Sequence, residues 1–251
     1  MRIDDGLLLR GASVPLQNLG TIRSPILSDI YQDILSVTSF NVVSSVVFCG
    51  KAKMKEMLTA WGIWDDYADL TDLAYDEASK FELVIHSPYL RETVRQGLLL
   101  FFVEDIVYEE EYKGFLVIKD KSTPVGIIDN DNFLAVEDLI KQALYSRDEE
   151  KAGAKFASQT AKEWWEEANR LEDQQPKNAS EDYQLTNIIS KLSCVDSGYT
   201  LLTIYQLSVY QLYDQFYAYC QNRLGHLSEN AYAHNGGDDF DHLAWLHKNS
   251  E

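Results

Sequence analysis

The chain has 251 residues, enough for one or two domains with a full core, and its 45% apolar content is ordinary for a globular protein. Its formal charge of −18 is unusual, because 40 acidic side chains face only 22 basic ones. A surface of this sign repels phosphate backbones, so we predict no binding to nucleic acid. The acidity serves either solubility or docking to a basic partner.

The cysteines and the apolar runs predict the compartment. Cys49, Cys194 and Cys220 are odd in number and form no CxxC pair, which is typical of free thiols in a reducing environment. The N-terminus lacks the basic and apolar regions of a signal peptide. The longest apolar run, Leu98 to Val103, is too short to cross a bilayer. We therefore predict a cytoplasmic protein that does not associate with membranes.

Residues 1–145 are predicted to form an N-terminal α+β domain whose first part is mainly helical. Glycine and proline interrupt residues 1–20, which we expect to be irregular. Ser24 followed by Pro25 is typical of a helix start. The buried stripe of that helix would be Ile26, Leu27, Ile30, Ile34 and Leu35. The β-branched run from Asn41 to Gly50 fits either a buried strand or a helix.

The second part of this domain mixes strand and helix patterns. Phe81–His86 is predicted to be a short strand, and Ser87-Pro88 to open a helix that ends near Phe102. Three β-rich runs then alternate with turn-forming residues, which predicts a three-stranded antiparallel meander at Ile106–Tyr108, Phe115–Ile118 and Val125–Ile128. Asn132 is expected to cap a helix from Phe133 to Tyr145.

Residues 146–183 are polar and charged, and we predict a partly helical linker. Trp164 and Trp165 lie within it beside acidic residues. Exposed tryptophans can anchor a partner, but one of the two could equally pack against the same chain.

Residues 184–251 predict a C-terminal helical pair. Leu185, Ile188, Ile189 and Leu192 recur at helical spacing, and Ser197-Gly198 interrupts the pattern. The same period returns at Val209, Leu212, Tyr213, Phe216, Tyr217 and Cys220. Ser208 and Gln211 have the spacing of a capping box, in which each side chain bonds the backbone N–H of the other residue.

Tyrosines are unusually dense in this C-terminal region. Five of them, Tyr199, Tyr205, Tyr210, Tyr213 and Tyr217, alternate with aliphatic residues and supply more aromatic surface than one narrow core stripe needs. Aromatic side chains are enriched at binding hot spots. We therefore predict a partner-binding surface formed by Tyr205, Val209, Tyr210, Tyr213, Phe216 and Tyr217, with Trp164 and Trp165.

The sequence carries no motif for catalysis, a cofactor or a metal. Asp129–Asn132 resembles the start of a calcium loop, but Leu134 and Ile140 replace the required glycine and glutamate, so a turn is predicted instead. The C-terminal histidines lack the i,i+3 or i,i+4 spacing of a helical metal site. Glycine-rich phosphate loops and hydrolase motifs are absent. A catalytic pair assembled from distant residues stays open, but nothing indicates one, and we predict a non-enzymatic protein without a cofactor.

Several short motifs are shared with one family of proteins. They are Leu19–Pro25 (LGTIRSP), Leu98–Tyr108, Val125–Ile128 (VGII), Leu185–Ser190 (LTNIIS), Leu207–Phe216 (LSVYQLYDQF) and Trp245–Asn249 (WLHKN). With these motifs the chain resembles the tail assembly chaperones of tailed phages and prophages of Gram-positive bacteria. The run Val209–Phe216 is the most specific of them, and the charged linker departs from the family pattern.

The resemblance implies a chaperone that binds the tape measure protein and helps to recruit tail tube subunits during virion assembly in the host cytoplasm. A tape measure is a long amphipathic helix, which aromatic helices could capture while negative charge keeps the complex dispersed. The alternative function is a permanent structural tail or connector component of the virion. The oligomeric state stays open, with a homo-oligomer among the options.

Overall fold

The structure is a computed structural model that describes residues 2–145, 185–195 and 198–235. These residues form a mainly helical α+β fold with a three-stranded antiparallel sheet, as predicted, and a two-stranded antiparallel sheet that was not predicted. The chain divides into two compact units. The first contains Met1–Ser146 and Leu202–Gln211, and the second contains Arg147–Leu201 and Leu212–Glu251. The predicted linker, with Trp164 and Trp165, lies outside the described residues.

In the first unit, helices precede the three-stranded sheet along the chain and one further helix follows it. Its elements in chain order are α1 (Asp5–Leu9), β1 (Val14–Leu16), β2 (Gly20–Ile22), α2 (Leu27–Ile30), α3 (Ile34–Phe48), α4 (Lys51–Ala60), a 3-10 turn (Trp64–Tyr67), α5 (Asp72–Glu77), α6 (Lys80–His86), α7 (Pro88–Phe101), β3 (Asp105–Glu109), β4 (Gly114–Lys119), β5 (Thr123–Ile128) and α8 (Phe133–Ala143). The described part of residues 185–235 forms α9 (Leu185–Cys194), α10 (Leu201–Ile204) and α11 (Val209–Asn235).

Residues 2–20 contain a helix and most of a hairpin rather than irregular structure, which corrects our prediction. Asp4 caps α1 by accepting a hydrogen bond from the backbone N–H of Leu7. The β1–β2 hairpin is fixed by Glu104, whose carboxylate accepts bonds from the backbone N–H and the hydroxyl of Thr21 at 2.8 and 2.7 Å. Glu104, which lies 83 positions after Thr21, therefore stabilises this hairpin.

The helix predicted to begin at Pro25 is broken in two. α2 starts only at Leu27, and α3 starts afresh at Ile34 with Asp33 as its N-cap. The stripe is therefore divided: Leu27 and Ile30 are buried, whereas Ile34 and Leu35 are 80% and 74% exposed. The ambiguous run from Asn41 onward is helical, as part of α3.

The strand predicted at Phe81–His86 is wrong, because these residues belong to α6. Ser79 accepts a bond from the N–H of Glu82, and the Glu82 carboxylate accepts one from the N–H of Ser79. This capping box satisfies the N–H groups that a helix start leaves unpaired. Phe81 then lies against Phe115 of β4 and Phe133 of α8, with ring centroids 5.9 and 5.1 Å apart.

The predicted meander is confirmed. β3 pairs with β4 and β4 with β5, all antiparallel, in the order β3-β4-β5. The helix predicted from Ser87-Pro88 is also confirmed, with Ser87 accepting a bond from the N–H of Leu90. Asn132 precedes α8 as predicted, but its side chain bonds Ile127 and Asp129 rather than the first turn of the helix.

The core of the first unit lies where α3 crosses α7. Phe40 and Phe101 stack with centroids 6.2 Å apart, and Val43 and Val94 are completely or almost completely buried. Gly97 allows this close approach, because a Cβ atom there would lie 2.6 Å from the carbonyl oxygen of Ser39.

In the second unit, α9 buries Ile188, Ile189 and Leu192, three residues of the predicted stripe. Leu185, the fourth, is half-buried. α11 continues to Asn235. None of the helices in the described ranges is long and apolar enough to cross a membrane.

Candidate functional site

Residues 24–28 and 205–210 of the first unit pair through their backbones. The N–H groups of Leu27 and Ser28 donate to the carbonyls of Leu207 and Tyr205, both at 2.9 Å. In return, the N–H of Val209 donates to the carbonyl of Pro25 at 2.8 Å. A helix start leaves its first N–H groups without intrahelical partners. Residues 205–207 therefore supply acceptors for the start of α2, and Pro25 supplies one for the start of α11.

Ser24 completes this exchange and corrects our prediction for it. Its Oγ accepts a bond from the N–H of Tyr210 at 3.0 Å, so it caps α11 rather than α2. The predicted capping box is confirmed: Ser208 accepts from the N–H of Gln211 at 3.2 Å, and the Gln211 side chain accepts from the N–H of Ser208 at 2.9 Å. The Gln211 amide also donates to the carbonyl of Leu9 at 2.9 Å.

We expect Ser24→Ala to lower the free energy of unfolding by about 1 to 2 kcal/mol, because Ser24 is 5% exposed and the N–H of Tyr210 would lose its acceptor. Urea denaturation followed by circular dichroism measures this loss. Ser24→Thr retains the hydroxyl and is the control. Equal stability of Ser24→Ala and the unmodified protein would contradict the assigned cap.

Two of the predicted partner-binding residues face the interior of the first unit. Val209 is completely buried, and Tyr210 is 4% exposed with its ring 4.9 Å from that of Tyr145, measured between centroids. The edge-on geometry of these two rings is a favourable aromatic contact. In this structure, Val209 and Tyr210 contribute to packing.

Tyr205 has a different environment, on an apolar surface. Its ring meets Tyr31 edge-on with centroids 5.8 Å apart, and both rings are half-buried. Ile34 and Leu35 follow Tyr31 within four residues, and Leu202 precedes Tyr205 by three. Leu202 is 88% exposed, so it projects into solvent almost as in an unfolded chain. We name these five residues the Tyr31–Tyr205 surface.

The helix break after α2 explains why this surface is exposed. Asp33 caps α3 by accepting a bond from the N–H of Ser36 at 2.7 Å, which lowers the pKa of its carboxyl group below the ordinary value. Ile34 and Leu35 therefore occupy the first turn of α3 and project from its end. Asp33, two positions after Tyr31, places a carboxylate near this surface in sequence, whereas Asp29, two positions before it, is paired with the Arg23 guanidinium at 3.3 Å.

The remaining predicted residues lie elsewhere. Tyr213, Phe216 and Tyr217 are on α11 within the second unit and are half-buried. Burial raises the pKa of the Tyr213 hydroxyl. The structure thus brings Tyr205 against Tyr31, a residue that was not predicted to belong to a site, and Ile34, Leu35 and Leu202 are near these two rings in sequence.

The Tyr31–Tyr205 surface combines aliphatic side chains with two tyrosine rings, the composition of a hydrophobic interface with polar tips. Across the parts of the chain that the structure describes, no group of three or more His, Cys, Asp or Glu residues is placed to hold a metal ion.

Residues 174–249 match the family model described as the YomV second domain. This range includes α9, α10 and α11 and covers less than half of the chain. No curated protein and no solved structure matches the chain.

Proposed function

We propose that the protein is a non-enzymatic tail assembly chaperone of a tailed phage or prophage, which acts in the host cytoplasm. It binds the apolar stripe of the tape measure helix and helps to recruit tail tube subunits. The observation that supports this proposal is the Tyr31–Tyr205 surface, where Leu202, Ile34 and Leu35 are 74 to 88% exposed. Large aliphatic side chains this exposed, near in sequence to two tyrosine rings in contact, are candidates for a protein-binding site.

The charges on the protein are consistent with this role. Asp33 lies two positions after Tyr31, and its negative charge would favour a helix with lysine or arginine beside its apolar stripe. The formal charge of −18 would keep a coated helix from aggregating.

Co-expression with the tape measure protein encoded next to it tests the proposal. The unmodified chain should co-purify with a soluble tape measure. Leu202→Asp and Ile34→Asp should each weaken the complex by about tenfold or more, because each removes an exposed aliphatic side chain that the complex would bury. Ile34 lies in the first turn of α3, where an aspartate favours the helix, so the fold should persist.

Leu73→Asp is the matched control, because Leu73 is also an exposed leucine, at 68%, on a different helix. It should leave co-purification unchanged. Separate purification of the two unmodified proteins would refute the chaperone proposal. Stoichiometric amounts of the chain in purified virions, measured by mass spectrometry, would instead favour a permanent tail or connector component.

A further inference from the structure

A second site lies elsewhere in the first unit, at a cavity of about 420 Å³. The residues that line it come from the end of α3, the starts of α4 and α6, and the first turns of α8. Val47, Phe81 and Phe133 are lining residues that are at most 3% exposed. Phe48 and Leu134 also line the cavity and are 52% and 67% exposed, so it is open to solvent beside them. Cavities of this size with a mainly apolar lining are typical of sites for small molecules.

The charged lining residues from α6 and α8 are already paired. Lys80 Nζ lies 2.5 Å from Glu137 Oε1, and these two side chains are only 9% and 4% exposed. Lys141 Nζ lies 3.7 Å from the Asp138 carboxylate. Opposite charges cancel within each pair, so we expect neither pair to attract a charged ligand strongly. The charge of a ligand that enters this cavity therefore depends on the remaining charged residue of the lining, Lys51.

Lys51 keeps a positive charge that its hydrogen bond does not cancel. It is the first residue of α4 and is half-buried. Its ammonium group donates to the backbone carbonyl of Asp76 at 2.5 Å. Because a carbonyl group carries no net charge, this bond orients the lysine without neutralising it. Two further N–H groups of the ammonium are left for other acceptors.

The start of α4 adds positive potential beside Lys51. A helix start carries a partial positive charge, which a capping side chain or an acidic residue usually offsets. Within the first turn of α4 the structure shows neither: Gly50 is the N-cap and has no side chain, and Lys51 and Lys53 are present without an acidic residue. Gly50 lines the cavity together with Lys51. An anion bound at this point would therefore stabilise the helix start.

We propose that this cavity binds a free fatty acid of about ten carbons. The hydrocarbon chain packs against Phe81 and Phe133, and the carboxylate accepts a hydrogen bond from the Lys51 ammonium beside the start of α4. The apolar lining favours an apolar ligand, and the single uncompensated cation favours one negative charge at the end of that ligand. A hydrophilic anion would satisfy Lys51 but would leave the apolar lining uncovered. The site uses no residue of the Tyr31–Tyr205 surface and does not depend on the proposed function.

The test uses the full chain and decanoate below its micelle-forming concentration, with binding measured by isothermal titration calorimetry. We expect saturable binding at one site. Hexanoate, which has the same charge and four fewer methylene groups, should bind at least about thirtyfold more weakly. Decanol, which has the same chain without the charge, should bind about fivefold more weakly. Lys51→Gln should weaken decanoate binding by a similar factor and leave decanol binding unchanged.

Variants at Gly50 locate the carboxylate. In the described part of the chain, no atom beyond the neighbours of Gly50 lies within 4 Å of its Cβ position, and its φ of −68° suits any residue. Gly50→Asp caps α4 and places a carboxylate where that of the ligand would lie. It should fold at least as stably as the unmodified chain, yet bind decanoate at least about tenfold more weakly. Circular dichroism during urea denaturation checks the stability.

Gly50→Asn is the matched control, because asparagine has the shape and capping ability of aspartate without its charge. It should bind decanoate within about threefold of the unmodified chain, since Lys51 is still available. Three results would each rule out the proposed site: no saturable binding of decanoate, decanol binding as tightly as decanoate, or equal affinity of Gly50→Asp and Gly50→Asn for decanoate.

Discussion

Gly97→Ala is expected to lower the free energy of unfolding by about 2 kcal/mol. The new methyl group would lie 2.6 Å from the carbonyl oxygen of Ser39 and 2.7 Å from Cβ of Val43. Neither atom belongs to the far end of a flexible side chain, so α3 and α7 must separate. Overpacking of this kind costs about 3 kcal/mol. Alanine recovers about 1 kcal/mol of that through its higher helix propensity.

Urea denaturation followed by far-UV circular dichroism measures this change, and Gly97→Val should lose more stability than Gly97→Ala. The matched control is Gly50→Ala, because no atom lies within 4 Å of the Cβ position at Gly50 and its φ of −68° suits any residue. Gly50 precedes α4, so the control should lose less than about 1 kcal/mol. Equal stability of Gly97→Ala and the control would show that the two helices are less tightly packed than described.

Lys80→Met should destabilise the first unit by about 3 to 5 kcal/mol, because it leaves the Glu137 carboxylate buried without a counter-charge. Glu137 is only 3% exposed, and Lys80 Nζ lies 2.5 Å from its Oε1. Methionine has nearly the length of the lysine stem, so little packing is lost. Urea denaturation at neutral pH measures the effect.

The pH dependence of this variant identifies the cause. Burial already raises the pKa of Glu137 in the folded protein, and removing Lys80 raises it further. Below the folded pKa the carboxyl is neutral, and the penalty for burying its charge disappears. The stability deficit of Lys80→Met should therefore shrink as pH falls through the folded pKa and grow as pH rises through it. A deficit that is independent of pH would exclude an unpaired charge as the cause.

The double variant Lys80→Met/Glu137→Leu is the control. Replacing both charges by apolar side chains of similar size is often neutral or stabilising by about 1 to 4 kcal/mol. It should therefore recover the stability that Lys80→Met loses. Failure to recover would mean that shape, rather than charge, dominates at this position.

Local signals predicted the middle of the first unit well. Ser87-Pro88 fixes the start of α7, and the turns between β-rich runs fix the meander, because each depends on residues a few positions apart. α6 was missed because its β-branched and aromatic residues favour a strand. The spacing of Ser79 and Glu82 is the capping-box signal that identifies it.

The errors near the start of the chain have a different origin. Ser24 has the local pattern of a helix cap, but its hydroxyl bonds Tyr210, which lies 186 positions away. No pattern within a few residues contains that information. The candidate site was found only in part for the same reason: Tyr205 was identified from tyrosine density, but its contact with Tyr31 depends on the fold. Asp33 and Ser36 carried the local signal for a new helix start, and hence for an exposed Ile34.

The hydrogen bonds between residues 24–28 and 205–210 also affect the order in which the nascent chain can fold. The ribosome must add residues 147–201, which belong to the second unit, before it makes the segment that completes the first. Domains usually fold from the N-terminus as they emerge. Here the first unit can be completed only after residues 202–211 have been synthesised. A product of premature termination before residue 202 would leave the N–H groups of Leu27 and Ser28 and the ring of Tyr145 without the contacts described.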